Sequence, residues 1–106
     1  MNCSINKETF NHIINAPKYF SEGDLTFIYK PCDDNCLGFI LPKRLGAAHQ
    51  RNLFKRRCRS VFNDVRKQAH FMSFGVGVII KTKQINIPFQ SLSNAFINLS
   101  NNMVSK

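Results

Sequence analysis

Residues 51–69 restrict the fold of this 106-residue chain more than any other segment, because their pattern suits a long helix with two opposed faces. At about 100° per residue, apolar side chains fall on one arc of that helix, and polar or basic side chains fall on the other. The apolar arc consists of Phe54, Cys58, Val61, Phe62, Val65 and Ala69. Such a helix buries this arc against a second layer of structure, so we expect layers packed around one core.

Short apolar segments supply that second layer. Extended structure is expected at 18–21, 25–30, 36–41 and 75–80. Within the second segment, the alternation puts Phe27 and Tyr29 on one side and Ile28 on the other. The fourth is nearly continuous in apolar character, as in a strand buried on both faces. Because the long helix lies between the last two segments, we expect a βαβ unit with parallel pairing of its strands.

Two further helices are expected near the ends of the chain. Asn6 suits the cap of a first helix that ends at Ala16-Pro17, and Pro88 suits the start of a closing helix. The apolar face of the closing helix consists of Phe89, Leu92, Phe96 and Leu99. Residues 100–106 are expected to fray. The order α-β-β-β-α-β-α predicts an α+β, two-layer sandwich with a small mixed sheet, and we expect residues 1–106 to form one domain.

Positive charge is concentrated in and before the long helix. The chain has a formal net charge of +9, and residues 43–67 hold 9 of its 15 basic residues, with Asp64 as their single acid. A charged run is often only a solvated helix face. Here the acids that would compensate it at i,i+4 spacing are nearly absent, so the face repels itself without a partner. The pattern therefore favours a polyanion, and nucleic acid in particular, as the partner.

Other classes of site find little support in the sequence. Cys32 and Cys36 have a spacing that occurs in zinc sites, but no second pair of ligands follows, so no metal site is expected. Of the six acids only Asp33 and Asp34 are adjacent, and they fall in an expected turn, so no self-contained catalytic site is evident. No segment approaches the ~20 apolar residues of a membrane span, and no signal peptide is visible. We expect a cytoplasmic protein without a membrane partner.

Residues 37–59 resemble the signature of the bacterial ribonuclease P protein subunit. In that family a strand is followed by two basic residues, a glycine and an alanine, and then by R-N-R-x-K-R-x-x-R on a long helix. The positions in register are Lys43, Arg44, Gly46, Ala48, Arg51, Asn52, Lys55, Arg56 and Arg59. The sequence departs from the pattern at Leu53, where an arginine is usual, and at Pro42 and Ala47.

The resemblance implies a cofactor of a catalytic RNA that removes the 5′ leader of precursor tRNA by Mg²⁺-dependent hydrolysis. The RNA would hold the Mg²⁺ ions, and DNA would not be a partner. The expected RNA-binding residues are Lys43, Arg44, Arg51, Asn52, Lys55, Arg56, Arg57, Arg59 and Arg66. A cleft between the first helix and the sheet would hold the single-stranded leader, with Phe10, Ile14, Phe27 and Tyr29 as its candidate residues. The family also implies a left-handed βαβ crossover, in a fold similar to the ribosomal protein S5 domain 2-like fold.

Three alternatives remain open from the residues alone. A structural RNA-binding protein of the ribosome would share the charge and the aromatic content. A DNA-binding regulator would use residues 51–69 as a recognition helix, but the sequence offers no neighbouring helix-turn-helix partner. An autonomous nuclease would need converging carboxylates. Core packing also stays the more frequent role for any single aromatic residue.

Overall fold

The computed structural model describes residues 7–15, 17–31, 36–68 and 76–104, which form three helices and a four-stranded sheet. The elements are α1 Lys7–Ile14, β1 Lys18–Glu22, β2 Leu25–Pro31, β3 Cys36–Ile40, a 3₁₀ turn Lys43–Leu45, α2 Ala48–Gln68, β4 Val76–Thr82 and α3 Phe89–Val104. The predicted α+β class and element order are confirmed. The expected cap Asn6, most of the turn 31–35, and Ala69 lie outside the described residues.

The sheet is mixed, with the strand order β1-β2-β4-β3. β2 pairs antiparallel with both β1 and β4, whereas β3 pairs parallel with β4. The parallel pair is the one joined by α2, so the predicted βαβ unit is confirmed. The hand of that crossover stays a prediction.

One face of the sheet carries α2 and α3 over an aromatic core. Phe27 of β2 meets Phe96 of α3 edge to face, with ring centroids 5.0 Å apart, and Phe96 lies 6.1 Å from Phe62 of α2. The described residues of the apolar arc predicted for α2 are all buried. The side chain of Asn102 donates a hydrogen bond of 2.9 Å to the Tyr29 hydroxyl, which ties the last turn of α3 to β2.

The opposite face of the sheet carries α1. Ile13 is fully buried there against Ile28 of β2 and Ile79 of β4, and Phe10 packs at the margin of this cluster. The Lys30 ammonium donates to the carbonyl oxygens of Asn15 and His12, at 2.8 and 3.3 Å. These carbonyls lie at the C-terminal end of α1, where the helix dipole favours a positive charge. Lys30 therefore fixes the end of α1 to the sheet.

The long helix begins three residues before the predicted position, at Ala48 rather than Arg51. Ala47 has no side chain that could cap it, but the Gln50 side-chain oxygen accepts a 2.8 Å hydrogen bond from the Ala47 backbone N–H. This is one half of a capping box. Gly46, at φ +156°, sets the chain direction between the 3₁₀ turn and the helix. The start of α2 is thus defined by backbone conformation and by one amide side chain.

Gly46→Ala should lower the free energy of unfolding by about 1–3 kcal/mol, because the backbone there is one that essentially only glycine adopts. A Cβ would also lie 2.7 Å from the Gln50 side-chain oxygen and 3.0 Å from Cδ1 of Ile85. Urea unfolding measures the effect. Gly23, at φ +59° with no atom within 4 Å of an added Cβ, provides the control: Gly23→Asn should be nearly neutral. Equal stabilities for the two variants would contradict this role of Gly46.

The closing helix differs from its prediction at both ends. Phe89, expected on the apolar face, is 49% exposed, whereas Leu92, Phe96 and Leu99 are buried as expected. The helix also continues to Val104 instead of fraying from Ser100. Ser100 is buried, so tertiary packing outweighs the weak helix propensity of this segment.

Candidate nucleic-acid interface

The outward side of α2 carries most of the residues that are predicted to bind nucleic acid. We call it the basic face, and it consists of the exposed Asn52, Arg56, Arg57, Arg59 and Lys67 together with the half-buried Arg51 and Lys55. Lys43 and Arg44 of the preceding 3₁₀ turn are exposed as well. The side chain of Arg66 lies outside the described residues. Because the inner side of α2 is core, the helix backbone that carries these charges is fixed relative to the sheet.

Arg51 differs from the other basic residues of this face. It is the fourth residue of α2 and not the first, and its Nε donates a 3.2 Å hydrogen bond to the Gly46 carbonyl. Part of its guanidinium therefore supports the loop before the helix. The side chain is only half-buried, so Arg51 joins the loop to the basic face.

An aromatic ring orders two of the basic side chains. The Lys55 ammonium lies 6.0 Å from the centroid of the Phe39 ring, and the Arg59 guanidinium lies 5.5 Å from it. Phe39 in turn meets Phe54 edge to face at 6.4 Å. Cation–π contacts at exposed sites contribute about 0.5–1 kcal/mol each. The ring thus orders both cations beside the edge strand β3 before any partner binds.

Leu53 stands among these charges with 41% of its side chain exposed. It gives the basic face an apolar spot next to Asn52, whose amide is also exposed. A ligand that binds here makes apolar contacts with Leu53 as well as ionic contacts with the basic residues.

Beside α1 the sheet is not fully covered. The strand register places Ser21, Thr26, Lys81 and Ile40 in one row across all four strands. Tyr19 lies on the same side, opposite Ile28. We call these five residues, Tyr19, Ser21, Thr26, Ile40 and Lys81, the open sheet face, because each of them is exposed or half-buried. The row ends near Lys43, three residues beyond Ile40 along the chain.

We call the space between α1 and the open sheet face the groove, and two of the four predicted cleft residues do not lie in it. Phe27 and Tyr29 are buried on the α2–α3 side, so their predicted grouping with Phe10 is wrong. Phe10 is half-buried and Ile14 is 43% exposed, and both belong to α1 at the margin of the groove. The alternation in β2 had already separated Ile28 from Phe27 and Tyr29. Only the packing of α1 reveals which side is open.

The described acids are not arranged as a metal site. Glu22 accepts a hydrogen bond from the Asn98 side chain, and Asp24 accepts one from Gln84. Within 7–15, 17–31, 36–68 and 76–104, no group of three or more His, Cys, Asp or Glu side chains converges. Asp33 and Asp34 lie outside the described residues. The described carboxylates therefore do not form a cage for Mg²⁺, which needs several oxygen ligands.

Cys58 is part of the core rather than a reactive group. Its thiol has no exposed surface, and burial raises its pKa to about 12, an effect that the neighbouring Arg59 charge only partly offsets. Because the thiolate is the reactive form, this cysteine is chemically inert in the folded chain.

Clustered cations on one helix, next to a partly open sheet face, are typical of a small basic α+β protein of the nucleic-acid-binding class. The family model for Ribonuclease P matches residues 5–104, and this chain belongs to that family. Among the helices of the described residues, none is long and apolar enough to span a bilayer.

Comparison with individual proteins agrees with this assignment. The chain is 28% identical over 80 residues to the ribonuclease P protein component of Mycoplasma mobile, a match that covers 76% of this chain and 70% of the other. The fold resembles the ribonuclease P protein of Thermotoga maritima, with a TM-score of 0.76 at 17% identity over 93% of this chain and 96% of that one. The Staphylococcus aureus protein gives 0.74 at 17% identity, over 98% and 96% of the two chains. At such identities the structural matches establish the fold.

Proposed function

We propose that this chain is the protein subunit that assists a catalytic RNA in removing the 5′ leader of precursor tRNA. The observation that carries the proposal is the division of α2 into a buried apolar side and the outward basic face. Lysine and arginine neutralise phosphates without reading sequence, so such a face positions one RNA against another. In this proposal the basic face and the 3₁₀ turn bind the catalytic RNA.

The groove between α1 and the open sheet face is the proposed place for the single-stranded leader. Phe10 offers a ring at its margin, and Lys81 offers an exposed charge within it. Aromatic rings stack on unpaired bases while cations follow the backbone. Such a groove would favour precursor tRNA over mature tRNA, because only the precursor carries a leader.

The chemical step is assigned to the RNA partner, with Mg²⁺ as its cofactor. The division fits a chain whose described acids do not converge. Mg²⁺ keeps several water molecules and is commonly held by phosphate oxygens, which the RNA supplies. In the proposal the protein contributes affinity and orientation.

The purified protein alone should cleave no precursor tRNA, whereas it should restore cleavage by its cognate catalytic RNA at a low Mg²⁺ concentration. Gel analysis of the 5′ product, with RNA alone and protein alone as controls, measures both effects. Cleavage by RNA-free protein that disappears with Asp33→Asn or Asp34→Asn would make the chain a nuclease itself. A protein that binds RNA but leaves the cleavage rate unchanged would favour the structural, ribosomal type of RNA-binding protein.

A further inference from the structure

Tyr19 has no role in the core and lies where an RNA strand could reach it. Its side chain is 63% exposed, more than any other large apolar side chain of the described residues. Single exposed apolar residues are common, so this exposure alone assigns no function. The position of Tyr19 in the sheet register is the more informative observation.

The register fixes the side of the sheet on which Tyr19 lies. It is directly opposite Ile28, the β2 residue that packs with Ile13 of α1. Its neighbours confirm the alternation: the Phe20 ring stacks on Phe27 in the core at 6.3 Å, and the Ser21 hydroxyl meets that of Thr26 at 3.2 Å. Tyr19 therefore lies on the α1 side, at the β1 edge of the open sheet face.

The groove lacks a second ring on α1 itself. Phe10 supplies one, but one helical turn later the chain has Ile14, which can pack against a base without offering a π-face. A ring on β1, beyond the C-terminal end of α1, can serve the same purpose. Edge strands are open to ligands, because nothing covers their outer side within the sheet.

We propose that Tyr19 is the second stacking platform for the single-stranded leader, and that the leader crosses the open sheet face to the β1 edge. This inference rests on the proposed function. Lys81 lies two strands away from β1 and one row further along, at a Cα separation of about 12 Å from Tyr19 by strand spacing and rise. Its charge is placed to meet a phosphate of the same strand. The ligand recognised by Tyr19 is thus an unpaired nucleobase of the leader.

The test uses the complex reconstituted with the cognate catalytic RNA, and it compares the affinity for precursor tRNA with that for mature tRNA. Tyr19→Ala should weaken precursor binding between about 5-fold and 150-fold, as expected for one stacked base, and leave mature tRNA binding unchanged. Tyr19→Phe should retain wild-type affinity because it keeps the ring. Phe89→Ala removes an exposed ring from α3 and serves as the matched control, with no effect on either RNA.

Single abasic nucleotides in the leader then locate the contact. In the wild-type complex the abasic change at one leader position should weaken binding, whereas in Tyr19→Ala the same change should have no further effect. Strict additivity at every leader position would overturn the proposal. Equal weakening for precursor and mature tRNA would overturn it too. Thermal melts of Tyr19→Ala and the wild type should coincide, since the side chain is largely exposed.

Phe10→Ala separates this proposal from the proposed function. If Phe10→Ala removes the preference for precursor tRNA while Tyr19→Ala retains it, the leader-binding role of the groove is supported and the proposed role of Tyr19 is wrong. If the wild-type complex itself shows no preference for precursor tRNA, the leader-binding role of the groove and the role of Tyr19 are both wrong.

Discussion

Phe27→Ala should lower the free energy of unfolding by about 3–5 kcal/mol, the usual cost of removing a fully buried phenylalanine. Its ring has no exposed surface and packs against Phe96 and Phe20. Small domains have a total stability of only about 5–15 kcal/mol, so this loss is a large part of it. Urea titration followed by circular dichroism measures the change.

Phe89→Ala is the matched control for this experiment, because it removes the same ring from a half-exposed position on α3. Its effect should stay within about 0.5 kcal/mol. If Phe27→Ala is too unstable to purify, Phe27→Leu should still show a graded loss, since it leaves a smaller cavity. A Phe27→Ala variant as stable as Phe89→Ala would contradict the buried position and return Phe27 to the list of RNA ligands.

Replacing Lys55, Arg56 and Arg59 together with alanine should remove much of the affinity for the catalytic RNA. Each lost phosphate contact should reduce the slope of log affinity against log salt concentration by about 0.7–0.9, so the triple variant should lose about 2–3. The fold should survive, because these side chains lie on the outward basic face. Filter binding over a range of salt concentrations measures the slope.

Two controls make this result specific. Arg56→Lys keeps the charge and should retain the slope. Lys18→Ala removes a charge from β1, the sheet edge opposite β3, and should leave the slope unchanged. If Lys18→Ala reduces the slope as much as a single substitution on α2 does, the binding energy comes from net charge and not from the basic face.

Periodicity in the sequence is sufficient to predict the order of the elements and the side of α2 that is buried. Phe54, Cys58, Val61 and Phe62 recur at helical spacing, and a buried side of a helix follows from that spacing alone. The exposed position of Phe89 was not accessible in this way, because its spacing matches the apolar face. Helical spacing gives the side of α3 that faces the core but not how far along the helix the core extends, and Phe89 in the first turn is 49% exposed.

The location of the groove depends on packing between elements distant in the chain. Alternation showed that Ile28 and Phe27 point to opposite sides of β2, but not which side α1 would cover. The early start of α2 was missed for a different reason. Ala47 gives no capping signal, and the signal that exists is the reach of Gln50 back to the Ala47 backbone.

The way in which α1 is attached has a consequence for the dynamics of the groove. The helix has eight residues, fewer than the ~12–15 that an isolated helix needs for stability. Among its described side chains only Ile13 is fully buried, and the Lys30 ammonium binds its last carbonyls. Local unfolding of α1, which forms one wall of the groove, therefore costs less free energy than local unfolding of the layer formed by α2 and α3. A bound strand that touches Phe10 would close this local opening, so affinity and the ordering of α1 are thermodynamically linked.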